Sequence, residues 1–309
     1  MKNITRNQIL SILLLSLLIV SCQFNRDKTQ ISENTTSKTI HPKSNEEEEI
    51  IAVLEKILIA VGNKNAQELG DLCTNKATIG LTYLQDDAWI IKELTVEEYL
   101  RKIVENKNPK PIAEIAEEYD ISVTEDRLAL IKAETIVSQF GVPKSREVNN
   151  MIMIKEKDDW KLLSIAWTVH PIPDEERKFD LNLFAHNYAQ VWGSNRPEFV
   201  AMFFAKDGEL KINNGKPAKG TLAITNVANG FMEAFPDMIV SLDSLETKSD
   251  KSRFYWTLIG TNNGLNGTGN KVKISGFEEW NLNDKGLIQK SNGYFDEKEY
   301  KRQLEFGTN

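Results

Sequence analysis

Residues 254–296 read FYWTLIGTNNGLNGTGNKVKISGFEEWNLNDKGLIQKSNGYFD, and this stretch decides the fold. It divides into three strands, Phe254 to Thr261, Lys271 to Asn281 and Leu287 to Asp296, each rich in aromatic and β-branched residues. The first join, Asn262 to Asn270, is dense in Gly and Asn, which accept the positive φ angles of tight loops. The second, Asn283-Asp284-Lys285-Gly286, is a hairpin signal. Side chains alternate between the two faces of a strand, so Phe254, Trp256 and Leu258 share one face, and Glu278 and Glu279 must point opposite ways. Threaded among the apolar residues are Glu278, Glu279, Asn292, Tyr294 and Asp296, a mixture expected of a sheet with one face under helices and the other lining a hollow.

Upstream of these strands the helical spacing of Leu181, Phe184, Tyr188, Val191 and Trp192 predicts a helix, followed by a second over Pro197 to Phe204. A strand over Gly208 to Asn213, a third helix over Gly220 to Phe235 and a strand over Ile239 to Leu245 complete this half. The preceding residues repeat that order. Ile50, Leu54, Ile57, Leu58 and Val61 stripe one helix, and Ala66 to Cys73 forms another. Alternating Ile79, Leu81 and Tyr83 predict a strand, and Thr95-Val96-Glu97-Glu98 has the form of a capping box. Strand-like segments follow at Ile112 to Thr124, Leu128 to Gln139, Glu147 to Glu156 and Trp160 to Val169. Helices first and a strand meander after, twice over, predict two tandem α+β domains at 46–170 and 179–309, joined by a stiff linker at 171–178.

The chain begins differently. Lys2 and Arg6 precede an apolar run, Ile9 to Val20, short for a bilayer span and fitting a secretory signal. It ends Val20-Ser21-Cys22, which is similar to the bacterial lipoprotein box: residues 1–21 would be the signal and Cys22 the lipidated first residue of the mature chain. Each acyl methylene buried in a membrane contributes about 0.8 kcal/mol. Residues 22–45, polar and poor in core formers, read as a flexible tether. The expected location is therefore a bacterial cell-envelope membrane, on its exported side.

Cys73 has no cysteine partner after Cys22 and sits among apolar neighbours, which predicts a buried, unreactive thiol. The formal net charge of −7 argues against nucleic acid as a partner. His41, His170 and His186 are scattered, and without a Cys pair they provide no metal-ligand spacing. Gly264 to Gly269 lies between strands rather than before a helix, so it is not a phosphate loop. No cofactor or metal is expected.

In the second half, Phe231-Met232-Glu233-Ala234-Phe235-Pro236-Asp237-Met238, Trp256 to Thr261, Val272 to Phe277 and Gly293-Tyr294-Phe295-Asp296 resemble the SnoaL-like polyketide cyclase family. That family belongs to the nuclear transport factor 2-like superfamily. The first half resembles the superfamily in element order and in its Trp160-Lys161-Leu162 to Ala166-Trp167-Thr168 ending. The resemblance implies cone-shaped α+β barrels, each with about three helices on a strongly curved, mainly antiparallel sheet around an apolar pocket. It implies pairing of sheets as well, in an internal pseudo-dimer or a homodimer.

Some members of the family use a pocket carboxylate or histidine to move a proton beside a carbonyl. Here Asp296 and Glu278 are the candidate general acid/base residues, with Tyr188, Trp192, Trp256, Asn262, Asn292 and Tyr294 as the candidate ligand-binding set. Asn262 stands where many members have His, and Lys290, Ser291 and Asn292 where many have an acidic or His residue and a Trp. That incomplete set favours a domain binding a small apolar or aromatic molecule over a cyclase, isomerase or hydrolase; a structural envelope protein is the third reading.

Overall fold

The computed structural model describes residues 44–107, 109–248 and 251–308. The signal segment, Cys22 and the tether up to residue 43 lie outside the described residues. In the first half, α1 (Asn45–Gly62) and α2 (Ala66–Leu72) lead into the hairpin of β1 (Cys73–Gln85) and β2 (Ala88–Thr95). Helix α3 (Val96–Glu105) follows, then β3 (Ala113–Thr124), β4 (Leu128–Gln139), β5 (Val142–Glu156) and β6 (Asp159–Pro171). The capping box at Thr95 forms as the sequence predicts: its hydroxyl accepts from the Glu98 N–H at 3.2 Å, and the Glu98 carboxylate accepts from the Thr95 N–H at 2.9 Å.

The second half repeats the plan. It runs α4 (Leu181–Trp192), α5 (Pro197–Ala201), β7 (Phe204–Ile212), β8 (Ala218–Lys219), α6 (Gly220–Ala234), β9 (Ile239–Lys248), β10 (Lys251–Thr261), β11 (Lys271–Leu282), β12 (Ile288–Phe295) and α7 (Glu297–Phe306). Strand order is β2-β1-β6-β5-β4-β3 in one sheet and β8-β7-β12-β11-β10-β9 in the other, so the two topologies coincide position for position. In each sheet one pair is parallel, β1 with β6 and β7 with β12, and the rest are antiparallel. The architecture is two tandem α+β units, each with one six-stranded sheet whose helix-facing side carries the core.

Several element boundaries differ from expectation, among them those of β5 and α5. Strand β5 starts at Val142 rather than Glu147, because Pro143 is accommodated opposite Ser138 where the β4–β5 register shifts. Helix α5 stops at Ala201 rather than Phe204. Phe203 and Phe204 are both buried, and burying two successive aromatics is met by turning into β7 instead of continuing the helix.

The halves meet at the tip of the β4–β5 hairpin. Phe140 and Gly141 are its two turn residues, with φ of 50° and 77°. Left-handed φ is costly for a bulky side chain, so the strain at Phe140 calls for compensation. It comes from packing across the interface, where the Phe140 ring lies edge-on to Phe203, with centroids 5.0 Å apart. The carbonyl of Gly141 accepts from the Asp180 N–H at 2.8 Å, and the Asp180 side chain in turn caps α4. A Cβ on Gly141 would sit 2.8 Å from the Asp180 carbonyl oxygen and from the Phe184 Cβ. Gly141→Ala therefore combines a left-handed alanine with overpacking, and it should lower stability by about 2–4 kcal/mol in chemical denaturation. A loss below about 0.5 kcal/mol, the scale of neutral surface changes, would show that the seam yields freely.

Candidate functional site

The inner face of the second sheet presents Phe254, Trp256 and Leu258 from β10, Ile274, Glu278 and Trp280 from β11, and Ser291 and Phe295 from β12. Helix α4 lays Phe184, Tyr188 and Trp192 over them, and α6 adds Ile224, Ala228 and Phe231. Edge-on and stacked aromatic contacts join these side chains: Phe254 stacks on Trp280 at 4.8 Å, and Tyr188 meets Trp280 edge-on at 5.2 Å.

Into this aromatic shell the strand alternation projects one carboxyl group. Glu278 is 6% exposed. Its Oε2 accepts from the Ser291 hydroxyl at 2.6 Å, the Trp280 indole N–H at 2.9 Å and the Tyr188 hydroxyl at 3.1 Å, while Oε1 has only a 3.4 Å contact to the same hydroxyl. All three donors are neutral. Hydrogen bonds to an ion contribute roughly 1.5–3 kcal/mol each. Taking the ion out of water costs several kcal/mol in the absence of a counter-charge. Burial outweighs the donors, and the Glu278 carboxyl is held above the usual carboxylate range. The Tyr188 hydroxyl is likewise pushed well up, first by burial and then by Glu278.

Glu278 also lines a small cavity of about 50 Å³, with Trp192, Phe231, Trp256, Leu258 and Phe295 among its walls. A water needs about 10–15 Å³ by this measure, and an engineered cavity that admits benzene has about 150 Å³. The cavity as it stands therefore takes a methyl-sized group or one edge of a ring. The indole N–H of Trp256 is buried and has no hydrogen-bond partner among the described residues. That of Trp192 lies beside the Tyr188 hydroxyl without meeting hydrogen-bond geometry. Chemically, the arrangement offers an apolar slot with one carboxyl group in its wall, a group that can hold or release a proton.

Among the residues singled out in the sequence, Glu278, Tyr188, Trp192 and Trp256 come together here. The others do not. Asp296 is exposed and caps α7, its Oδ1 accepting from the N–H groups of Lys298 and Glu299 at 2.9 and 3.0 Å, so it is a helix-capping group that does not line the cavity. Asn292 and Tyr294 lie on the outer face opposite Glu279 and Phe277, because Gly293 and Phe295 take the inward positions of β12. Asn262 organises the β10–β11 loop: its side-chain amide donates to the Ala234 carbonyl at 3.1 Å and its Oδ1 accepts from the Thr268 N–H at 2.9 Å. Glu279 points outward and pairs with Arg253 at 2.8 Å. Ser291 and Trp280 as partners of the carboxyl were not anticipated. Cys73 is a buried thiol pushed up to about 11 by burial, as its neighbours foretold. Among the described residues no group of three or more His, Cys, Asp or Glu could hold a metal.

Residues 182–304 match the family model described as SnoaL-like polyketide cyclase. Solved structures similar to the chain include a hypothetical protein with a ketosteroid isomerase-like fold from Catenulispora acidiphila, in complex with trimethylamine; it shares 14% identity over 38% of this chain and 88% of its own, with a TM-score of 0.35. A candidate polyketide cyclase from Bacillus cereus shares 18% identity over 44% of this chain and 87% of its own, TM-score 0.35. The epoxide hydrolase/cyclase-like enzyme SalBIII, studied for pyran ring formation in the polyether salinomycin, shares 15% over 36% of this chain and 87% of its own, TM-score 0.33. A search of curated proteins finds no match.

Because the folded-state pKa of Glu278 lies above its unfolded value, its contribution to stability is complete below the unfolded pKa and is lost as pH rises through the folded one. Wild-type chain should therefore lose stability relative to Glu278→Gln as pH rises above the ordinary glutamate value, read by urea denaturation at a series of pH values. A difference that stays constant over that range would mean that the carboxyl titrates normally.

Proposed function

We propose that the second half binds a small apolar or aromatic molecule by admitting one group between Trp192, Phe231, Trp256 and Phe295, beside the Glu278 carboxyl. The observation that carries this reading is a buried carboxyl, raised in pKa, in the wall of an otherwise apolar cavity. Binding comes first in the proposal because the cavity holds only part of a ligand unless a half-buried wall residue such as Phe231 or Trp256 moves.

The same observation favours a second reading, cofactor-independent acid–base catalysis of the cyclase or isomerase type. Burial holds the Glu278 carboxyl above the usual carboxylate range, and its Oε1 has only a long contact to the protein, which suits a group that takes up and returns a proton. The match of residues 182–304 to the SnoaL-like family model supports both readings.

We also infer an exported lipoprotein, on the strength of the charged start, the apolar run and Ser21-Cys22. In this reading attachment is through acyl chains on Cys22; among the described residues no helix is long and apolar enough to cross a membrane.

Native mass spectrometry of the purified chain tests the ligand. A bound species of low mass should survive gentle transfer and disappear in Trp256→Ala, with the fold retained by circular dichroism; wild-type and variant spectra without any adduct, together with no binding of 1-naphthol, would end the ligand reading. Membrane fractionation tests the anchor. Wild type should sediment with membranes and Cys22→Ser should not, whereas equal partition of the two would rule out lipidation at that residue.

A further inference from the structure

We propose that Asn63, together with the buried Lys64–Glu114–Glu147 cluster beside it in the first half, positions helix α4, and that deprotonation of this cluster loosens α4 and with it the Glu278 site. The functional consequence rests on the reading of the second half given above; the mechanical coupling does not.

Helix α4 is shared by the two halves. On one side it carries Tyr188, which bonds Glu278, and Trp192, which lines the cavity. On the other it packs against β3, β4 and β5 of the first sheet. Few polar contacts hold it there. The Asn63 side-chain amide donates to the Gln190 carbonyl at 2.9 Å, and the Phe140 N–H makes a long 3.4 Å contact with the Asn187 Oδ1. The Asn63 Oδ1, Gln190 Oε1 and Asn187 Nδ2 are buried with no hydrogen-bond partner among the described residues. A seam with three unsatisfied polar atoms opens at low cost compared with a fully bonded one.

Asn63 is fixed by its neighbours. The Gly62 carbonyl accepts from the Ile112 N–H at 3.2 Å, tying the end of α1 to the chain entering β3, and Lys64 takes a left-handed φ of 56°. Lys64 is 7% exposed, and no ion pair reaches its Nζ among the described residues. Glu114, two residues beyond Ile112, accepts from the Thr135 hydroxyl and the Asn149 amide, both at 3.0 Å. Glu147 accepts from the Ser145 hydroxyl at 3.1 Å. Three ionisable side chains are thus sunk in the same part of the first half, faced by Tyr99 of α3 and Tyr119 of β3, with Cys73 acting on Tyr99 and Glu55 of α1 on Tyr119.

The electrostatics give the direction. Burial lowers Lys64 to about 8, opposed by Glu114. Burial and then the charge of Glu114 push Glu147 up; Glu114 is itself raised by burial against the pull of Thr135, Asn149 and Lys64. Glu114 and Glu147 repel each other when both are ionised, and the Lys64 ammonium offsets the charge of Glu114. Stability due to Glu147 is complete below its unfolded pKa and is lost as pH rises through the folded value. Lys64 works in the opposite sense, since burial of its ammonium weighs on the fold below about pH 8 and eases above. Its proton, however, is also the counter-charge facing Glu114. Losing it with the Glu147 proton leaves two buried carboxylates against each other, and repulsion sets the net direction.

Hydrogen exchange of the α4 amides between Tyr188 and Trp192 in the full chain tests the coupling without any ligand. Corrected for intrinsic rates, exchange in wild type should quicken about tenfold between pH 7 and pH 9, with a midpoint near pH 8, and the step should vanish in Glu147→Gln. Asn63→Ala should exchange quickly at both pH values. Should Glu147→Gln fail to fold, Ser145→Ala removes a donor that favours the charged form and should move the midpoint upward. No step in wild type, a step unchanged in Glu147→Gln, or a midpoint unmoved in Ser145→Ala would overturn the proposal. Binding of 1-naphthol, read by its own fluorescence, is scored separately. Its absence would count against the ligand reading while leaving the exchange result to decide the coupling.

Discussion

Everything in the second half is arranged around a carboxyl group that is out of water and without a counter-ion. Glu278 lies among Tyr188, Phe254 and Trp280, and each polar group that reaches it is neutral: an indole, an aliphatic hydroxyl and a phenol. A hydrophobic residue of similar volume would pack there without the desolvation cost, so the carboxyl is retained at the expense of stability. Such a group either fixes a unique arrangement of its donors or keeps a proton available. Its position in a cavity wall favours the second.

The cost is met by the aromatic shell. Phe184, Tyr188, Phe203, Phe254 and Trp280 form a continuous set of ring contacts with centroid separations from 4.8 to 5.7 Å, and this set extends through Phe140 into the first half. Helix α4 contributes two of those rings and stands at the seam, so the shape of the site and the docking of the halves are one packing problem. The strained Phe140–Gly141 turn makes sense in this light: a left-handed aromatic is tolerated where its ring completes a neighbour's core.

Much of this was legible in the sequence. The period-2 alternation of β11 fixed that Glu278 and Glu279 face opposite ways, and the pairing of Glu278 with Phe254 on the core face shows which of them turns inward. The helical stripe through Phe184, Tyr188 and Trp192 located the covering helix. What failed was the phase of β12. Tyr294 looks like an inward aromatic, but Gly293 and Phe295 occupy that parity, and only the pairing register, with its shift between Asn281 and Leu282, brings Ser291 opposite Trp280. Asp296 carried a local signal for capping, since Asp ahead of Glu-Lys-Glu suits a helix N-terminus. The first-half cluster was not legible, because Lys64, Glu114 and Glu147 are far apart in sequence and each looks like an ordinary surface charge until the fold closes over it.

The measurement that bears most directly on the central claim is the titration of Glu278 itself, followed by carbon NMR of side-chain carboxyls in selectively labelled chain, with Glu278→Gln to assign the signal. A carboxyl resonance that changes well above the ordinary glutamate value near 4.3, and higher still in Ser291→Ala, which removes a donor that favours the ion, is the result expected. A resonance already ionised at pH 5 would contradict the account, because a carboxylate stable at that pH is not the buried proton carrier on which the site depends.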